Sequence, residues 1–168
     1  MPISVLAGKK EFMRELDSDV FYSFTFAGET LSLAASVATI NFMNKNMVIE
    51  HLWKVGNQLK DGTNNIIEKS GLGKYMKCAG LGPYSTVIFY DAGLDPLHVK
   101  SLFMQECFKR GVFFAGYHIL CFAHTPKIID KTLAVYEEAA SILKEAIKKN
   151  DILARLEGKP LQPVFKRL

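Results

Sequence analysis

The sequence predicts an α/β fold in which a small sheet carries helices on one face and is preceded by part of a second layer. Two observations lead to this fold class. From about residue 46 onward, amphipathic helical patterns alternate with short runs rich in β-branched and aromatic residues. Residues 1–45 instead combine a lone strand-like run with a helix that is apolar nearly all round. Neither the strand-like run nor the apolar helix has a packing partner within that segment, so we expect this second layer to be incomplete.

The first 45 residues contain two predicted helices around an extended run. Residues 2–7 have strand character, and residues 9–16 form a charged helix. Residues 23–27 are extended and end in a small-residue turn, after which an apolar helix is predicted over 29–43. A helix N-terminus presents free N–H groups and a positive dipole, so this turn could hold a phosphate, with the Thr25 hydroxyl as one more donor. The alternative is a structural turn with Glu29 as an ordinary first-turn acid, and residue chemistry alone favours it.

The predicted small domain begins with a long helix and a hairpin. Residues 47–69 place apolar side chains on one stripe, and a glycine-rich stretch ends the helix. Residues 75–79 and 85–91 are predicted strands, and the loop between them is a hairpin loop rather than a phosphate cradle. The stripe consists of Val48, Leu52, Val55, Leu59 and Ile66.

The remaining elements alternate between helix and strand. Asp95 is a good N-cap, and the helix it starts is predicted to run to about Arg110. Two strands follow, over residues 112–116 and 119–123. The last helix, opened by Thr125 and Pro126, has the most regular amphipathic pattern of the chain. Residues 151–168 form a tail with two prolines, which we expect to be only partly ordered.

Composition excludes several classes of function. The 168 residues are 49% hydrophobic and 23% charged, which is globular, and the net charge of +4 is too dispersed for a nucleic-acid-binding face. No segment predicts a membrane span or a signal peptide. Three widely spaced cysteines predict free thiols in a reducing cytoplasm, and the four histidines show no metal-ligand spacing with them.

No catalytic group is evident from the residues alone. His124 lies between a predicted strand and a helix, where functional groups often sit, and the pair Tyr117 and His118 is placed to line a cleft. A capping or packing role is the favoured interpretation for both. Ser23 and Ser85 lack the sharp strand-to-helix turn of a hydrolase serine. No cysteine has an activating neighbour. We therefore assign no catalytic and no metal-binding residue in this chain.

Four blocks of the sequence, in the same order, resemble class III aminotransferases. Residues 24–35 resemble the threonine-containing segment of these pyridoxal-phosphate enzymes. Residues 1–13 are similar to the strand and helix that follow the cofactor lysine in the family. Residues 110–115 resemble a strand of its small domain. Residues 121–125 and the following helix resemble the glutamate-1-semialdehyde aminomutase branch, to which the resemblance is greatest.

The resemblance covers residues 1–148 and implies the C-terminal portion of an enzyme of fold type I. It predicts a remnant of the large cofactor domain over residues 1–45, the small domain over 46–150 and a tail over 151–168. It implies pyridoxal 5'-phosphate as cofactor, a small-molecule amino donor and acceptor, and a homodimer or a separate N-terminal half as partner. No nucleic acid or membrane partner is expected, and the expected location is the cytoplasm.

One site residue follows from the resemblance. Thr25 matches the threonine that contacts the cofactor phosphate of the neighbouring subunit. Glu29 and Thr30 replace the Asn-Pro of many members, so no role is carried over to them. In the family the Schiff-base lysine lies just before the position of Met1, and Lys9 and Lys10 do not match it. The chain alone is therefore expected to be inactive.

Two other interpretations remain open. The chain could be a non-catalytic subunit or dimerisation module that descends from the same family. It could also be an unrelated α/β binding domain. The substrate, and the choice between aminotransferase and aminomutase, cannot be derived from these residues.

Overall fold

The computed structural model describes residues 3–18, 20–21 and 23–163. Its helices and strands follow the predicted order, and the chain forms two compact units, Met1–Val48 and Ile49–Leu168. The helices are α1 (Lys10–Met13), α2 (Thr30–Lys45), α3 (Val48–Ser70), α4 (Pro96–Lys109) and α5 (Pro126–Lys149), and the strands are β1 (Met76–Leu81), β2 (Tyr84–Phe89) and β3 (Tyr117–Ile119). Short 3₁₀ helices follow α1 and α5, at Arg14–Asp17 and Leu153–Arg155.

The N-terminal unit lacks a core among its described residues. Residues 3–9 belong to no helix or strand, so the strand predicted over 2–7 is not formed in its described part. The physical reason is that an isolated strand has no ladder partner to satisfy its backbone. Helix α2 forms as predicted, yet none of its residues is buried, and Leu31 and Ile40 are more than half exposed. The burial that an all-round apolar helix requires is not supplied by the described residues.

The second unit packs three helices against one face of an antiparallel sheet of order β1-β2-β3. Strand residues alternate between buried and exposed positions, so the inward face carries Met76, Cys78 and Val87 while the outward face carries Tyr84 and Ile88. Cys78 pairs with Val87 and Ser85 with His118 in the strand register. The core is built from α3, α4, α5 and the inward face of the sheet, as the apolar stripes predicted.

Helix α3 is attached to the sheet at two points. The Asn64 side chain pairs with the backbone of Cys78, donating from Nδ2 to its carbonyl oxygen and accepting from its N–H, both at 2.9 Å. This amide satisfies an edge of β1 that has no neighbouring strand. Further along α3, Gly56 lies directly against the turn at Gly82, where a Cβ on Gly56 would overlap the carbonyl oxygen. The helix backbone can approach the hairpin this closely only because Gly56 has no side chain.

The segment after α4 differs from its prediction. Two strands were expected over residues 112–116 and 119–123, but the structure contains only β3, Tyr117–Ile119. Phe114 is buried in the core, and Gly116 has a φ of 100°, which turns the chain before β3 begins. The apolar residues of 112–116 therefore serve packing rather than a ladder, and a short apolar run does not distinguish these two uses.

The described part of the C-terminal tail packs against α4. Gln105 donates to the carbonyl oxygen of Arg155 at 2.9 Å and accepts from the N–H of Glu157 at 2.8 Å. Ser101 accepts from the N–H of Leu161 at 2.8 Å, and Ile152 is buried. Residues 151–163 are thus held more closely than their composition suggested, because α4 supplies partners for their backbone groups.

Replacement of Gly56 by alanine tests the close contact between α3 and the hairpin. An alanine inside a helix normally stabilises it relative to glycine by roughly 1 kcal/mol. Here we expect the opposite sign, a loss of about 2 kcal/mol or more in the free energy of unfolding, because the new methyl group meets rigid backbone. Urea unfolding followed by circular dichroism measures the change.

The matched control is Gly62→Ala in the same helix. There the added Cβ would meet only the side-chain methyl groups of Leu133, which can rotate away. The Gly62 variant should therefore lose less stability than the Gly56 variant. Equal midpoints for the two variants would contradict the inferred backbone contact.

Candidate functional site

The segment that carries the predicted phosphate contact is a turn followed by a helix. Residues 25–28 form the turn, Gly28 has a φ of 69°, and α2 begins two residues later at Thr30. A positive φ of this size favours glycine, which explains the residue type at the end of the turn. The turn therefore begins earlier than predicted, because Thr25 was expected in an extended run and instead lies within the turn.

Glu29 occupies the helix N-terminus that could otherwise receive an anion. Its carboxylate accepts from the N–H groups of Leu31 at 2.8 Å and Ser32 at 2.7 Å, and from the Ser32 hydroxyl at 2.6 Å. The Ser32 hydroxyl and these two N–H groups lower the pKa of Glu29. Because the chain's own carboxylate caps α2, the structural interpretation of Glu29 holds for the helix N-terminus.

Thr25 remains available for a ligand. The residue is exposed, and its hydroxyl makes no hydrogen bond to the described residues. A threonine hydroxyl can donate one hydrogen bond to a phosphate oxygen. The phosphate contact at Thr25 stays a prediction from the resemblance, and the described residues around it do not form a complete phosphate cradle.

A cluster of four side chains around His118 is buried in the core of the second unit, Ile49–Leu168. His118 in β3 pairs through Nδ1 with the Ser85 hydroxyl at 2.9 Å and through Nε2 with the Tyr136 hydroxyl at 3.0 Å. The Cys78 sulfur lies 3.9 Å from Nδ1. All four side chains are buried. Each nitrogen of the ring has a hydroxyl partner, which is what a polar group inside a core requires.

Burial determines the protonation states in this cluster. Desolvation lowers the pKa of His118 to about 4, so the ring is neutral at pH 7. The same cause raises the pKa of Cys78, and it raises the pKa of Tyr136 as well. The cluster is therefore uncharged throughout the physiological pH range.

A cleft of about 330 Å³ opens beside this cluster. Tyr136 and His124 line it together with Tyr117 and His118, the pair that was expected to line a cleft. Ser85 does not line the cleft and is only 1% exposed, so a substrate could not reach its hydroxyl. The serine and histidine pair therefore stabilises the core and does not form a hydrolase site.

His124 has the capping role that its position favoured. Its Nδ1 accepts from the N–H of Cys121 at 2.9 Å, and the Cys121 sulfur lies 3.2 Å from the same atom. The His124 carbonyl oxygen lies 2.9 Å from Nε2 of His51. These contacts fix the turn that leads into α5. Thr125 is the N-cap of α5, and its side chain accepts a hydrogen bond from the N–H of Ile128.

Sequence analysis did not identify Tyr136 as part of a polar cluster. The residue lies on the apolar stripe of α5, where a tyrosine ring fits the core pattern as well as any other large side chain. The available signal was its hydroxyl, since a buried tyrosine usually needs a hydrogen-bond partner. Its partner, His118, comes from a different element, and no spacing in the sequence connects the two.

Within residues 3–18, 20–21 and 23–163, no group of three His, Cys, Asp or Glu side chains could hold a metal ion. Over the same residues, no helix combines the length and apolar character needed to cross a bilayer. The three cysteines are free thiols, and only Cys121 is exposed.

The pKa of His118 predicts a pH dependence of stability. Its pKa is about 4 in the folded chain against 6.5 for the unperturbed group, so the unfolded chain takes up the proton first as the pH falls. The contribution of the neutral ring is complete above pH 6.5 and is lost progressively down to pH 4, by about 3 kcal/mol in all. Urea unfolding at a series of pH values measures this.

The comparison variant is His118→Gln, in which the loss of stability caused by protonation of His118 should be absent. His98→Gln, at a partly buried position of α4, should retain it because His118 is intact. The same change in stability between pH 6.5 and 4 in the wild-type chain and in His118→Gln would contradict the buried neutral state.

Comparison with known proteins finds curated enzymes that are similar to this chain. It is 30% identical over 152 residues to the glutamate-1-semialdehyde 2,1-aminomutase of Archaeoglobus fulgidus, covering 83% of this chain and 36% of that protein. It is 24% identical over 147 residues to the 3-aminobutyryl-CoA aminotransferase of Cloacimonas acidaminovorans, covering 86% of this chain and 35% of that protein. The chain thus spans little more than a third of the length of these curated relatives. No family model matches the sequence.

Solved structures show the same fold. A transaminase with bound pyridoxal phosphate superimposes with a TM-score of 0.69 at 15% identity, over 83% of this chain and 34% of the other. The FumI protein of Sphingopyxis sp. MTA144, solved in its internal aldimine form, gives a TM-score of 0.63 at 24% identity, over 77% of this chain and 31% of the other. Together with the sequence relatives, these matches identify the chain as a homologue of the C-terminal portion of class III pyridoxal-phosphate-dependent aminotransferases.

Proposed function

We propose that this chain is the C-terminal part of an enzyme that moves an amino group between two small molecules, or within one, by means of pyridoxal phosphate. The observation that carries the proposal is the sequence match to an aminomutase and an aminotransferase over more than four fifths of the chain. The fold shared with transaminases supports it. When bound, pyridoxal phosphate acts as an electron sink for the substrate carbanion.

Within this proposal, the contribution of the chain to the cofactor site is positional. The Thr25 hydroxyl donates a hydrogen bond to a phosphate oxygen of the cofactor in the neighbouring subunit of a homodimer. The exposed side chain, free of other described hydrogen bonds, supports this role. The Glu29 carboxylate accepts hydrogen bonds from N–H groups in the first turn of α2, so it is bound to the helix and not to the phosphate. No residue of this chain is assigned a catalytic role.

The Schiff-base lysine would come from residues that correspond to the N-terminal part of the relatives. That part would lie in a longer form of this chain or in a separate polypeptide. The free thiols support a reducing compartment, and the cytoplasm is the location we propose.

A second candidate function is a non-catalytic subunit or dimerisation module derived from the same family. The observation that favours it is the contrast between the two units. The second unit has its own closed core, whereas α2 in the first exposes Leu31, Val37 and Ile40. Exposed apolar surface of this kind is typical of an interface.

The isolated 168-residue chain should have no transaminase activity. Without the Schiff-base lysine, pyridoxal phosphate cannot form the specific adduct that borohydride would fix. We expect the pure chain, mixed with the cofactor and reduced, to keep a mass of 18.8 kDa without a stoichiometric adduct. Turnover of any amino donor by the pure chain would contradict this expectation.

A chimera tests the role of Thr25. The N-terminal portion of the Archaeoglobus fulgidus aminomutase, joined upstream of this chain, supplies the residues that the match does not cover. In this chimera Thr25→Ala should weaken cofactor binding about tenfold, since one hydrogen bond to a charged phosphate is lost. Titration of the cofactor by absorbance measures the dissociation constant.

Two variants control this experiment. Thr25→Ser keeps the hydroxyl and should bind the cofactor nearly as tightly as the parent. Thr39→Ala removes an exposed threonine of α2 whose hydroxyl donates to the Ala35 carbonyl oxygen, and it should leave the affinity unchanged. An unchanged affinity in Thr25→Ala would remove Thr25 from the site.

A further inference from the structure

The cleft beside the buried cluster lies along one edge of the sheet. Its lining includes all three residues of β3 and, across from them, Ile128, Ile129 and Thr132 in the first turns of α5. Among the described residues that line it, none belongs to β1 or β2. The cleft therefore opens on the side of β3 that faces away from β2, as a groove between an edge strand and a helix.

The ladder between β2 and β3 determines which backbone groups face that side. The Gly116 carbonyl oxygen accepts from the N–H of a β2 residue at 2.9 Å, and the N–H of Leu120 donates to the residue before β2 at 3.0 Å. In an antiparallel pair, the backbone groups of every second residue face the partner strand, so those of His118 also face β2. The N–H and carbonyl groups of Tyr117 and Ile119 consequently face away from β2.

These outward groups have no hydrogen-bond partner among the residues that the structure describes. No described backbone or side-chain group bonds to the N–H or carbonyl oxygen of Tyr117 or Ile119. The opposite edge of the sheet is different, because there the Asn64 amide occupies both backbone groups of Cys78. Strand β3 also carries no Lys or Pro, the residues that commonly protect an exposed edge. Its outer edge is therefore a free template for another strand.

The groove beside this edge accepts side chains that carry no charge. Its volume is about 330 Å³, and the described residues that line it include no Asp, Glu, Lys or Arg. A charged side chain would lose hydration on entry and would gain no opposite charge in return. The Thr132 hydroxyl donates to the Ile128 carbonyl oxygen at 2.9 Å, so its lone pairs are left to accept a hydrogen bond.

We propose that the outer edge of β3 binds an extended, uncharged segment of a partner protein as a fourth strand of the sheet. The backbone of that segment exchanges hydrogen bonds with Tyr117 and Ile119, and every second side chain lies in the cleft against α5. In this mode of recognition, the main-chain hydrogen bonds supply affinity and the groove selects the side chains. The alternating donors and acceptors of β3 match the backbone of another strand, which is why the ligand is a peptide.

Amide hydrogen exchange in the full 168-residue chain tests the pairing directly. The probe is the peptide acetyl-Thr-Val-Thr-Val-Thr-amide, which is uncharged and favours an extended backbone. In the free chain, the amides of Tyr117 and Ile119 should exchange rapidly. A saturating concentration of the peptide should slow both by about tenfold or more, because each amide gains an acceptor or is covered. Nuclear magnetic resonance of the ¹⁵N-labelled chain measures the rate at each residue.

Three variants separate the strand edge from the groove. Ile119→Pro removes an outward N–H but no bond to β2, a position where an edge strand tolerates proline, and it should weaken peptide binding about tenfold. Ile119→Ala keeps the N–H and should bind nearly as tightly as the parent. Thr132→Phe fills the groove and should also weaken binding about tenfold. Urea unfolding confirms that each variant is folded.

Three results would overturn the proposal. One is an exchange rate at Tyr117 and Ile119 that the peptide leaves unchanged. Another is the parental affinity in Ile119→Pro, or for the same peptide carrying an N-methyl group at every residue, since neither can form the full ladder. The third is a dimer of the free chain in which both amides are already protected, because a second copy would then occupy the edge.

Discussion

The close approach of α3 to the hairpin is the constraint on which the second unit depends. Gly56 lies against the backbone at Gly82, and two helical turns later Asn64 pairs with both backbone groups of Cys78. Together these contacts fix the sheet on the helix through backbone groups of the hairpin, which apolar side chains could not replace. The position of β2 then places Ser85 opposite His118 in the strand register, and the polar cluster follows from that register.

The helices were predictable from the sequence because their signals are local. The apolar periodicity of α3 and α5 and the Asp95 cap with Pro96 each involve residues within a few turns, and the structure confirms all three. The strands after α4 were not predictable in the same way. An apolar run such as 112–116 fits a strand and a core loop equally well, and only the tertiary contacts of Phe114 decide between them.

The candidate sites show the same division between local and distant information. The prediction put Glu29 in the first turn of the helix, and the structure places it one position earlier, as the N-cap, with partners two and three residues away. The family motif around Thr25 is likewise contiguous. The partnership of His118 with Ser85 and Tyr136 spans 33 and 18 residues of sequence. Only the folded chain brings these groups together, because their types and spacings match no recurring catalytic pattern.

The two units also differ in where their stability originates. In the second unit, buried side chains from α3, α4, α5 and the sheet form one continuous core, so its fold is supported by its own residues. In the first unit, none of the described residues from 3 to 47 is buried. Secondary structure without burial gains little free energy, since an isolated helix of this length is marginal in water. The segment that carries Thr25 therefore needs a further apolar surface to hold it in a defined position. A phosphate contact at Thr25 would require that surface to be in place.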